Sequence, residues 1–458
     1  MNLKDLDPRR VMPATANGRR VSFLAAAAVV LGTGTFVVTQ TGATPEPQLV
    51  RAAAPPAGVP ETTPTTAIAP AEPTAALPAP LPEPAGLEVS VPGPRIVPVA
   101  EPEHVRGLYL NAWAAGSVKK LAKLIDIANR TEINSFVIDV KEGGELSYRS
   151  SIPLVRQVAA DRQYIRDPRA LLQQLRDNGI YPIARIVVFK DRTLAEKRPD
   201  WAIQRADGSV WLDRDGYTWV DPYNRHVWDY NIAIAREAIE LGFAEVQWDY
   251  VRFPDTPPSL MASARFPAQE GRRKDDAIRE FLLYSREQLA SYGVPVTADV
   301  FGLTVSVKND MGIGQLWEKM VDATDVLLPM VYPSHFARGS YGIAHPNASP
   351  YEIVKRAMEY AIDRTPAGTG RATIRPWLQD FTLGAPRYDA ARVRAQIDAV
   401  HDAGLTEWVL WHPGSNYTVA ALADANGKVP EFAPIPAYVP ERAPAARRAN
   451  EPLGVPVP

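Results

Sequence analysis

The sequence predicts an α/β fold, a (β/α)8 TIM barrel over residues 105–428, and three observations indicate it. Eight short apolar runs follow one another along this part of the chain. Segments with a helical spacing of apolar residues separate most of them, and several of these segments end in glycine just before the next run. Strands that alternate with helices form parallel sheets, and eight such units close a barrel. A doubly wound open sheet is the alternative, but no glycine-rich phosphate loop follows the first run.

The eight apolar runs have the β-branched and aromatic content of buried strands. They occupy residues 105–113, 135–141, 181–189, 244–253, 295–303, 326–334, 374–381 and 407–415. The segments between them include SVKKLAKLIDIANRT after the first strand, NRHVWDYNIAIAREAIELG before the fourth and DAARVRAQIDAVHDAG before the eighth. These segments place apolar residues three or four positions apart, which predicts helices with one buried face.

The chain before the barrel divides into three segments of different composition. Residues 1–20 are basic, residues 21–39 carry no charge, and residues 40–104 are rich in proline and alanine. The uncharged run is about long enough to cross a bilayer, and the preceding arginines predict a cytoplasmic N-terminus. The proline-rich residues 40–104 and the similar tail 429–458 cannot bury a core, so both are predicted to be extended and disordered.

Residues 21–39 are predicted to form an uncleaved signal anchor, and a signal peptide cleaved after Ala43 is the alternative. The run is longer than the ~7–15 apolar residues usual in signal peptides, and no clean A-x-A site follows it. The anchor predicts a single-pass membrane protein whose barrel lies outside the cytoplasm, whereas cleavage predicts a secreted protein. The membrane is therefore an expected partner through the N-terminal helix.

The composition excludes several classes of function. Lys and Arg number 50 and Asp and Glu 52, so the net charge of −2 does not favour a nucleic-acid partner. The absence of cysteine excludes disulfides, thiol catalysis and zinc–thiolate sites. The histidines form no HExxH pair, and the chain contains neither G-x-S-x-G nor a phosphate-binding P-loop. We therefore expect neither a metal nor an organic cofactor, and nothing indicates an obligate protein partner.

The stretch EVQWDYVRFPD in the fourth strand is unusual because polar residues recur at every second position. Glu245, Gln247 and Asp249 therefore share one face, which points into the barrel. Buried polar groups are costly unless they are hydrogen-bonded or functional. Because the C-terminal ends of barrel strands carry active sites, Asp249 is predicted to be catalytic or substrate-binding, with Gln247 deeper on the same face.

Polar and aromatic residues occur at the same ends of the other strands. They are Asn111, Asp139, Lys141, Arg252, Asp299, Tyr332, Trp377, Gln379 and Trp411. Carboxylates beside basic and aromatic residues at a barrel mouth are typical of carbohydrate chemistry, in which two carboxyl groups flank the scissile bond. Two structural alternatives remain open. Asp139 and Lys141, on one face, would form an ion pair, and Arg252 would neutralise Asp249 or Asp255.

Six segments resemble a bacterial family of glycoside hydrolase domains with a TIM-barrel fold and a DYVRFP signature. They are VRGLYLNAW, NSFVIDVKEGGELSY, ARIVVFKD, RPDWAI, WVDPYNRHVWDYNIAIAREAIELGFAEVQWDYVRFPD and PMVYPSHF, and the resemblance covers essentially all of residues 105–415. It implies a glycosidase-like barrel that acts on an extracellular or cell-envelope polysaccharide. Asp249 matches the strand-four position where α-amylase-type barrels carry their nucleophile. The strand is also similar to the chitinase-type motif, but Val251 stands at the position of its terminal acid, so a substrate-assisted mechanism is not expected.

These observations predict a retaining glycoside hydrolase with Asp249 as nucleophile and Asp299 as general acid/base, and Asp139 is the alternative acid. The other candidates are predicted to bind substrate: Asn111, Lys141, Gln247, Arg252, Tyr332, Trp377, Gln379 and Trp411. The rival prediction, which Val251 favours, is a barrel that binds an envelope polysaccharide without cleaving it. A structural envelope protein whose polar ring binds a partner is a third alternative.

Overall fold

A computed structural model describes residues 85–365 and 372–438, and its sheet contains ten strands. They are β1 (Arg106–Leu110), β2 (Ser135–Glu142), β3 (Glu145–Leu146), β4 (Tyr181–Val187), β5 (Glu245–Asp249), β6 (Val296–Phe301), β7 (Val326–Met330), β8 (Thr373–Ile374), β9 (Trp377–Gln379) and β10 (Trp408–Trp411). Eight of them pair in parallel in the order β1, β2, β4, β5, β6, β7, β9, β10, and β10 pairs with β1 again. The sheet is therefore a closed parallel barrel, as predicted.

The two remaining strands extend this barrel locally. β3 runs antiparallel to β2 after a turn at Gly143 and Gly144. β8 pairs with the start of β7, while β9 pairs with its end, so both belong to the seventh predicted strand. All eight predicted strands are confirmed, although most are shorter than predicted. The fourth ends at Asp249 because Tyr250 adopts φ +48, in the left-handed region, and leaves the extended path.

Eleven α-helices lie in the described part of the chain, all of them between successive strands. They are α1 (Ala112–Gly116), α2 (Val118–Arg130), α3 (Pro153–Gln157), α4 (Pro168–Asp177), α5 (Arg192–Lys197), α6 (Arg225–Leu241), α7 (Pro258–Met261), α8 (Lys274–Leu289), α9 (Trp317–Val321), α10 (Pro350–Asp363) and α11 (Ala390–Asp402). Side chains at the N-cap accept a backbone N–H at the start of α2, α4, α6 and α11, as Ser117 and Asp389 do. In α2, the buried residues Leu121, Leu124, Ile125 and Ala128 recur at helical spacing and face the barrel.

The core has two parts because successive strand residues point to opposite sides of the sheet. Val137 belongs to the cluster inside the barrel, whereas Ile138 packs in the larger cluster between sheet and helices. Glu245, the deepest polar residue of the fourth strand, is wholly buried at the N-terminal end of the barrel. Its Oε1 accepts from Arg375 Nη1 at 2.7 Å and from Thr297 Oγ1 at 3.0 Å. This pairing offsets the cost of burying the charge and makes Glu245 a structural residue.

Several predictions concern the ends of the chain. The signal anchor over residues 21–39, its alternative cleavage after Ala43 and most of the linker lie outside the described residues. Residues 85–104 and 429–438 contain neither helix nor strand. Among the described helices, none combines the length and apolar character needed to cross a membrane.

Candidate active site

Arg185 on β4 joins carboxylates from the two neighbouring barrel strands. Its Nη2 lies 2.5 Å and its Nε 3.0 Å from Asp249 Oδ2 on β5. Its Nη1 pairs with Asp139 Oδ1 on β2 and, at 2.7 Å, with Glu142 Oε2 at the end of the same strand. Burial disfavours the charged guanidinium, but attraction to these three carboxylates raises the pKa of Arg185 above its ordinary value. The C-terminal mouth of the barrel is thus built around one buried cation and three acids.

Both oxygens of the Asp249 carboxylate accept hydrogen bonds. Oδ2 accepts from Arg185, and Oδ1 accepts from the backbone N–H of Tyr250 at 2.5 Å. This hydrogen bond forms while Tyr250 is in the left-handed conformation. For a residue with a side chain, that conformation costs about 1–3 kcal/mol. Strain of this kind persists only where surrounding structure enforces it, and here it fixes the orientation of the Asp249 carboxylate.

Asp299 on β6 is the neighbour of Asp249. Trp248 on β5 pairs with Ala298 on β6, so Asp249 and Asp299 occupy the next aligned position, on strands about 4.8 Å apart. Oδ1 of Asp299 accepts from Trp377 Nε1 at 2.6 Å and from Gln247 Nε2 at 2.8 Å. Burial, followed by repulsion from the Asp249 charge, raises the pKa of Asp299 well above its ordinary value. Asp299 therefore favours the protonated form, while Asp249 is paired with a cation.

Asp139 completes the carboxylate group on the other side of Arg185. Its Oδ2 accepts from the hydroxyl of Tyr109 at 2.5 Å. Burial raises the pKa of Asp139 to about 6, although Arg185 acts in the opposite direction. Burial and the Asp139 charge also raise the pKa of Tyr109, so its hydroxyl remains a donor. Asp139 is thus a second carboxyl at this mouth that holds a proton in mildly acidic conditions.

Aromatic side chains form a wall beside Arg185, whose guanidinium carbon is 5.6 Å from the centroid of the Tyr109 ring. Trp411 lies 6.0 Å from Tyr109, 5.6 Å from Tyr332 and 5.1 Å from Phe381, measured between ring centroids. Burial and the charges of Asp299 and Asp249 raise the pKa of Tyr332, which places this ring beside the carboxylate pair. Trp377, whose indole binds Asp299, lies 6.3 Å from Tyr109. The predicted aromatic residues Tyr332, Trp377 and Trp411 therefore do meet at the predicted acids.

Lys141 lies elsewhere, and the prediction that it shares a face with Asp139 is wrong. A bulge at Val140 shifts the register, so Asp139 is opposite Arg185 but Lys141 is opposite the outward-facing Ile186. The Lys141 ammonium lies between the sheet and α6, 2.7 Å from Asp191 Oδ2 and 2.9 Å from Asn231 Oδ1. The ion pair of Asp139 with Lys141, the structural alternative, is therefore also absent; Asp139 pairs with Arg185 instead.

Three other predicted residues use their polar groups within the protein. The Asn111 side chain caps α1 through Ala114 N at 2.8 Å and donates to Pro413 O at 2.9 Å. Gln379 accepts from Ser334 N at 3.1 Å, which ties the loop after β7 to β9. Gln247 is wholly buried and orients Asp299. These amides shape the mouth rather than line it.

Arg252, on the loop after β5, makes no ion pair with Asp249 or Asp255 in the described structure, so the predicted neutralisation is not formed. Its Nη1 donates to Phe253 O at 3.0 Å, and its guanidinium lies on aromatic rings. The side chain is nonetheless near the site, because Asp249 is among the charges that act on it.

Arg185, Glu142 and the role of Tyr109 were missed by the sequence analysis. Arg185 had the same signal as Asp249, a charged residue on the inward face of an apolar strand, in YPIARIVVF. Glu142 could not be placed because a bulge reverses the strand faces before it. Among the residues that the structure describes, no three His, Asp or Glu side chains are grouped to hold a metal ion.

Comparison with known families agrees with this architecture. Residues 107–417 match the model of a family described as "Putative glycosyl hydrolase domain". The chain belongs to this family. The match spans the whole barrel, from β1 to the loop after β10, and it confirms the resemblance predicted from the six sequence segments. The glycosyl hydrolase domain of this chain therefore includes Asp139, Arg185, Asp249 and Asp299.

Solved structures similar to the chain include proteins of several bacteria. A hypothetical protein from Ruminiclostridium thermocellum is 40% identical, with a TM-score of 0.39; the alignment covers 45% of this chain and 98% of that one. The glycoside hydrolase domain of PgaB (BpsB) from Bordetella bronchiseptica is 12% identical, with a TM-score of 0.49 and coverage of 70% and 99%. The α-galactosidase of Thermus thermophilus is 15% identical, with a TM-score of 0.43 and coverage of 70% and 60%. No functionally curated protein matches the chain.

Proposed function

We propose that this glycosyl hydrolase domain is a retaining glycosidase that cleaves an extracellular or cell-envelope polysaccharide. The observation that carries the proposal is the pairing of Asp249 with Asp299 at aligned positions of adjacent strands. Asp249 is bound to Arg185, whereas burial and the Asp249 charge raise the pKa of Asp299. A carboxyl group that favours its protonated form, beside one that is bonded to a cation, suits the acid and nucleophile roles.

The strand geometry supports retention. Retaining enzymes hold their carboxyl groups about 5–5.5 Å apart, and inverting enzymes about 6.5–9.5 Å apart. Aligned residues on neighbouring strands start from a backbone separation of about 4.8 Å, which favours the shorter class. Asp249 would attack the anomeric carbon and form a glycosyl ester as Asp299 protonates the leaving oxygen. Asp299 would then take a proton from water, which attacks the ester and releases Asp249.

Arg185 would act as a positioning residue for this chemistry. Its two charge-assisted bonds to Oδ2 hold Asp249 in one orientation. Its third bond holds Asp139, whose pKa burial raises to about 6, and this makes Asp139 the alternative proton donor. The wall formed by Tyr109, Tyr332 and Trp411 would stack against sugar rings.

A non-catalytic polysaccharide-binding barrel is the second candidate. One observation favours it: Asp299 is only 1% exposed and already bonded to Trp377 and Gln247, which limits its approach to a glycosidic oxygen. Val251 at the position of the chitinase-type acid points the same way. In this case the mouth would hold sugars against its aromatic wall without a bond being broken.

One experiment distinguishes the two candidates. The full-length protein is incubated with purified bacterial envelope polysaccharides and a panel of α- and β-linked glycans, and released oligosaccharides are followed by mass spectrometry. Asp249→Asn should release nothing, while Asp126→Asn, the same change at an exposed position on α2, should match the wild type. Full activity of Asp249→Asn would refute the catalytic assignment. Retention of a glycan by all three proteins, with no product, would identify a binding barrel.

The extracytoplasmic location is part of the proposal and rests on residues 1–39 of the sequence. A signal anchor would keep the barrel on the outer side of the membrane, and cleavage after Ala43 would release it. N-terminal sequencing of the protein purified from membranes and from the medium separates the two cases.

A further inference from the structure

Two cations lie beside the candidate active site without an anionic partner. Lys190 follows β4 and Arg252 follows β5, so both lie at the C-terminal mouth next to Asp249. In the described structure Lys190 has no hydrogen bond or ion pair, and Arg252 has a single bond, to Phe253 O. Burial and then the Arg252 charge lower the pKa of Lys190, which shows that the two cations repel each other. Holding two like charges close together is electrostatically unfavourable, so the arrangement indicates a binding site for an anion.

Aromatic rings hold the two cations in place. Lys190 Nζ is 4.0 Å from the ring centroid of Tyr217 and 5.1 Å from that of Tyr250. The Arg252 guanidinium carbon is 4.8 Å from the Tyr250 centroid and 4.5 Å from that of Phe301. Trp219 adds a third ring at 5.2 Å from Arg252. All of these distances allow cation–π attraction, so the rings fix the cations without neutralising them.

The two carboxylates that act most strongly on Lys190 are already engaged. Asp213 accepts from Asp215 N and Tyr217 N at 2.9 Å, and from the Trp219 indole at 2.8 Å. Glu142 pairs with Arg185. These acids act on Lys190 through space and do not bind it. The ammonium and most of the guanidinium donors therefore remain available to a ligand.

The strained backbone at Tyr250 builds this arrangement. Its φ of +48 turns the chain directly after Asp249 and places the ring between Lys190 and Arg252. The Arg252 guanidinium lies among three rings, and in the described structure only its Nη1 makes a hydrogen bond, so Nε and Nη2 remain as donors. A guanidinium edge of this kind matches the two oxygens of an oxyanion.

We propose that Lys190 and Arg252, held by Tyr217, Tyr250, Trp219 and Phe301, form a subsite for an oxyanion substituent of the polysaccharide, either a carboxylate or a phosphate on a sugar next to the cleaved bond. The inference rests on the proposed function, because it names the substrate class of the same barrel mouth. It makes the substrate an acidic polysaccharide. Arg252 would bind two oxyanion oxygens in its plane, and Lys190 would add a third contact from the neighbouring strand.

The test measures retention of defined glycans, which does not require cleavage. Fragments of oligogalacturonate, alginate and hyaluronan are compared with their carboxyl-reduced forms, and phosphorylated mannan fragments with their phosphatase-treated forms. Full-length protein carrying Asp249→Asn retains them without turnover. We expect at least one acidic fragment to be retained about tenfold more tightly than its neutral partner. The carboxylate and phosphate pairs show which oxyanion is bound.

Variants of Lys190 connect that preference to the subsite. Lys190→Gln should lower the preference for the acidic fragment about tenfold, whereas Lys190→Arg, which keeps the charge, should preserve that preference. Lys123→Gln, the same change at an exposed position of α2, is the matched control and should behave as the parent. Thermal melting of each variant verifies folding.

Two results would overturn the proposal. One is that no acidic fragment is preferred over its neutral partner, and failure to retain either member counts as this result. The other is an equal preference in Lys190→Gln and in its parent. The outcome is separable from that of the proposed function. Hydrolysis confined to neutral glycans would leave a glycosidase and remove the subsite. Acidic fragments retained through Lys190 but never cleaved by the wild type would leave the subsite and remove the glycosidase.

Discussion

Arg185 gives the aspartates at the barrel mouth different electrostatic surroundings. It binds Asp249 twice and Asp139 once, and it is the one cation bonded to either of them in the described structure. Asp299 lies beyond its hydrogen-bonding reach and next to Asp249, so burial and like-charge repulsion act on Asp299 with less compensation. Two aspartates at aligned positions thereby differ in their partners, one being bonded to a cation and the other to neutral donors, without any difference in residue type.

The pKa of Asp299 should therefore fall when the Asp249 charge is removed. The Asp249→Asn variant lacks the repulsion that disfavours ionised Asp299, so Asp299 should lose its proton at lower pH than in the wild type. Titration of 13C-labelled aspartate carboxyl groups by NMR measures this directly and needs no substrate.

Asp380 is the internal reference for that titration. Burial raises its pKa to about 6, and its hydrogen bonds come from Thr418, away from Asp249. Its signal should not move in Asp249→Asn. An Asp299 pKa that is unchanged or higher in the variant would contradict the assignment of Asp249 and Asp299 as an interacting pair.

At the scale of elements, the bulge in β2 decides which polar residues face the substrate. The strand pairs Asp139 with Arg185 and then Lys141 with Ile186, so one extra residue moves Lys141 into the helix layer. There Lys141 and Asp191 form a wholly buried ion pair, and Asp191 also caps α5 through Leu194 N at 2.8 Å. The pair therefore fastens β2 to the start of α5, behind the active-site strands.

Lys141→Met should destabilise the fold strongly, because it leaves the Asp191 charge buried without its partner. Loss of one member of a buried pair costs about 3–5 kcal/mol. Adding Asp191→Asn, which removes the charge and keeps a capping oxygen, should recover most of that loss. Chemical denaturation of the wild type, the single variant and the double variant measures the three free energies of unfolding. A single variant as stable as the wild type would show that Lys141 is not a structural cation.

The sequence was sufficient for the elements and insufficient for their fine register. All eight barrel strands were predicted because buried parallel strands appear as apolar runs that alternate with helical segments. Asp249, Asp299, Asp139 and the aromatic wall followed from strand-end positions. Lys141 did not, because a bulge leaves the period-2 pattern intact in the sequence while it reverses the faces. Arg185 was missed for a different reason. The sequence shows a charged residue on the inward face of an apolar strand, but its partners lie on adjacent strands and are identified only once the barrel is closed.

At the scale of the whole molecule, the charged residues of the barrel interior form two polar layers, one at each end. Glu245 and Arg375 pair at the N-terminal end, and Asp139, Arg185, Asp249 and Asp299 meet at the C-terminal end. Residues such as Val137, Leu328 and Val409 fill the layer between. Each polar layer carries carboxyl groups from which water is largely excluded, and this couples the stability of the fold to pH.

The contribution of the buried aspartates to stability should fall as pH rises from about 4 to 7, while burial lowers the pKa of His335 and His412 to about 4, so these two histidines contribute with the opposite sign. Burial raises the pKa of Asp139, Asp221 and Asp380 from 3.8 to about 6 in each case. Between these two values the folded protein keeps protons that the unfolded chain has released. The stabilisation is complete below about 3.8 and is lost as pH rises through about 6. One pKa unit corresponds to 1.36 kcal/mol, so each group contributes on the order of 3 kcal/mol at most.

Urea denaturation of the wild type at a series of pH values from 4 to 7 measures this dependence. Asp139→Asn should make the decline of the free energy of unfolding with pH shallower, because an amide side chain at position 139 has no proton to lose over this range. Asp126→Asn, at an exposed position, should leave the slope unchanged. An Asp139→Asn slope equal to that of the wild type would mean that Asp139 is already ionised in the folded protein over this interval. In that case Arg185 and Tyr109, rather than a proton, would stabilise the Asp139 carboxyl, and Asp139 would not be the alternative proton donor of the proposed mechanism.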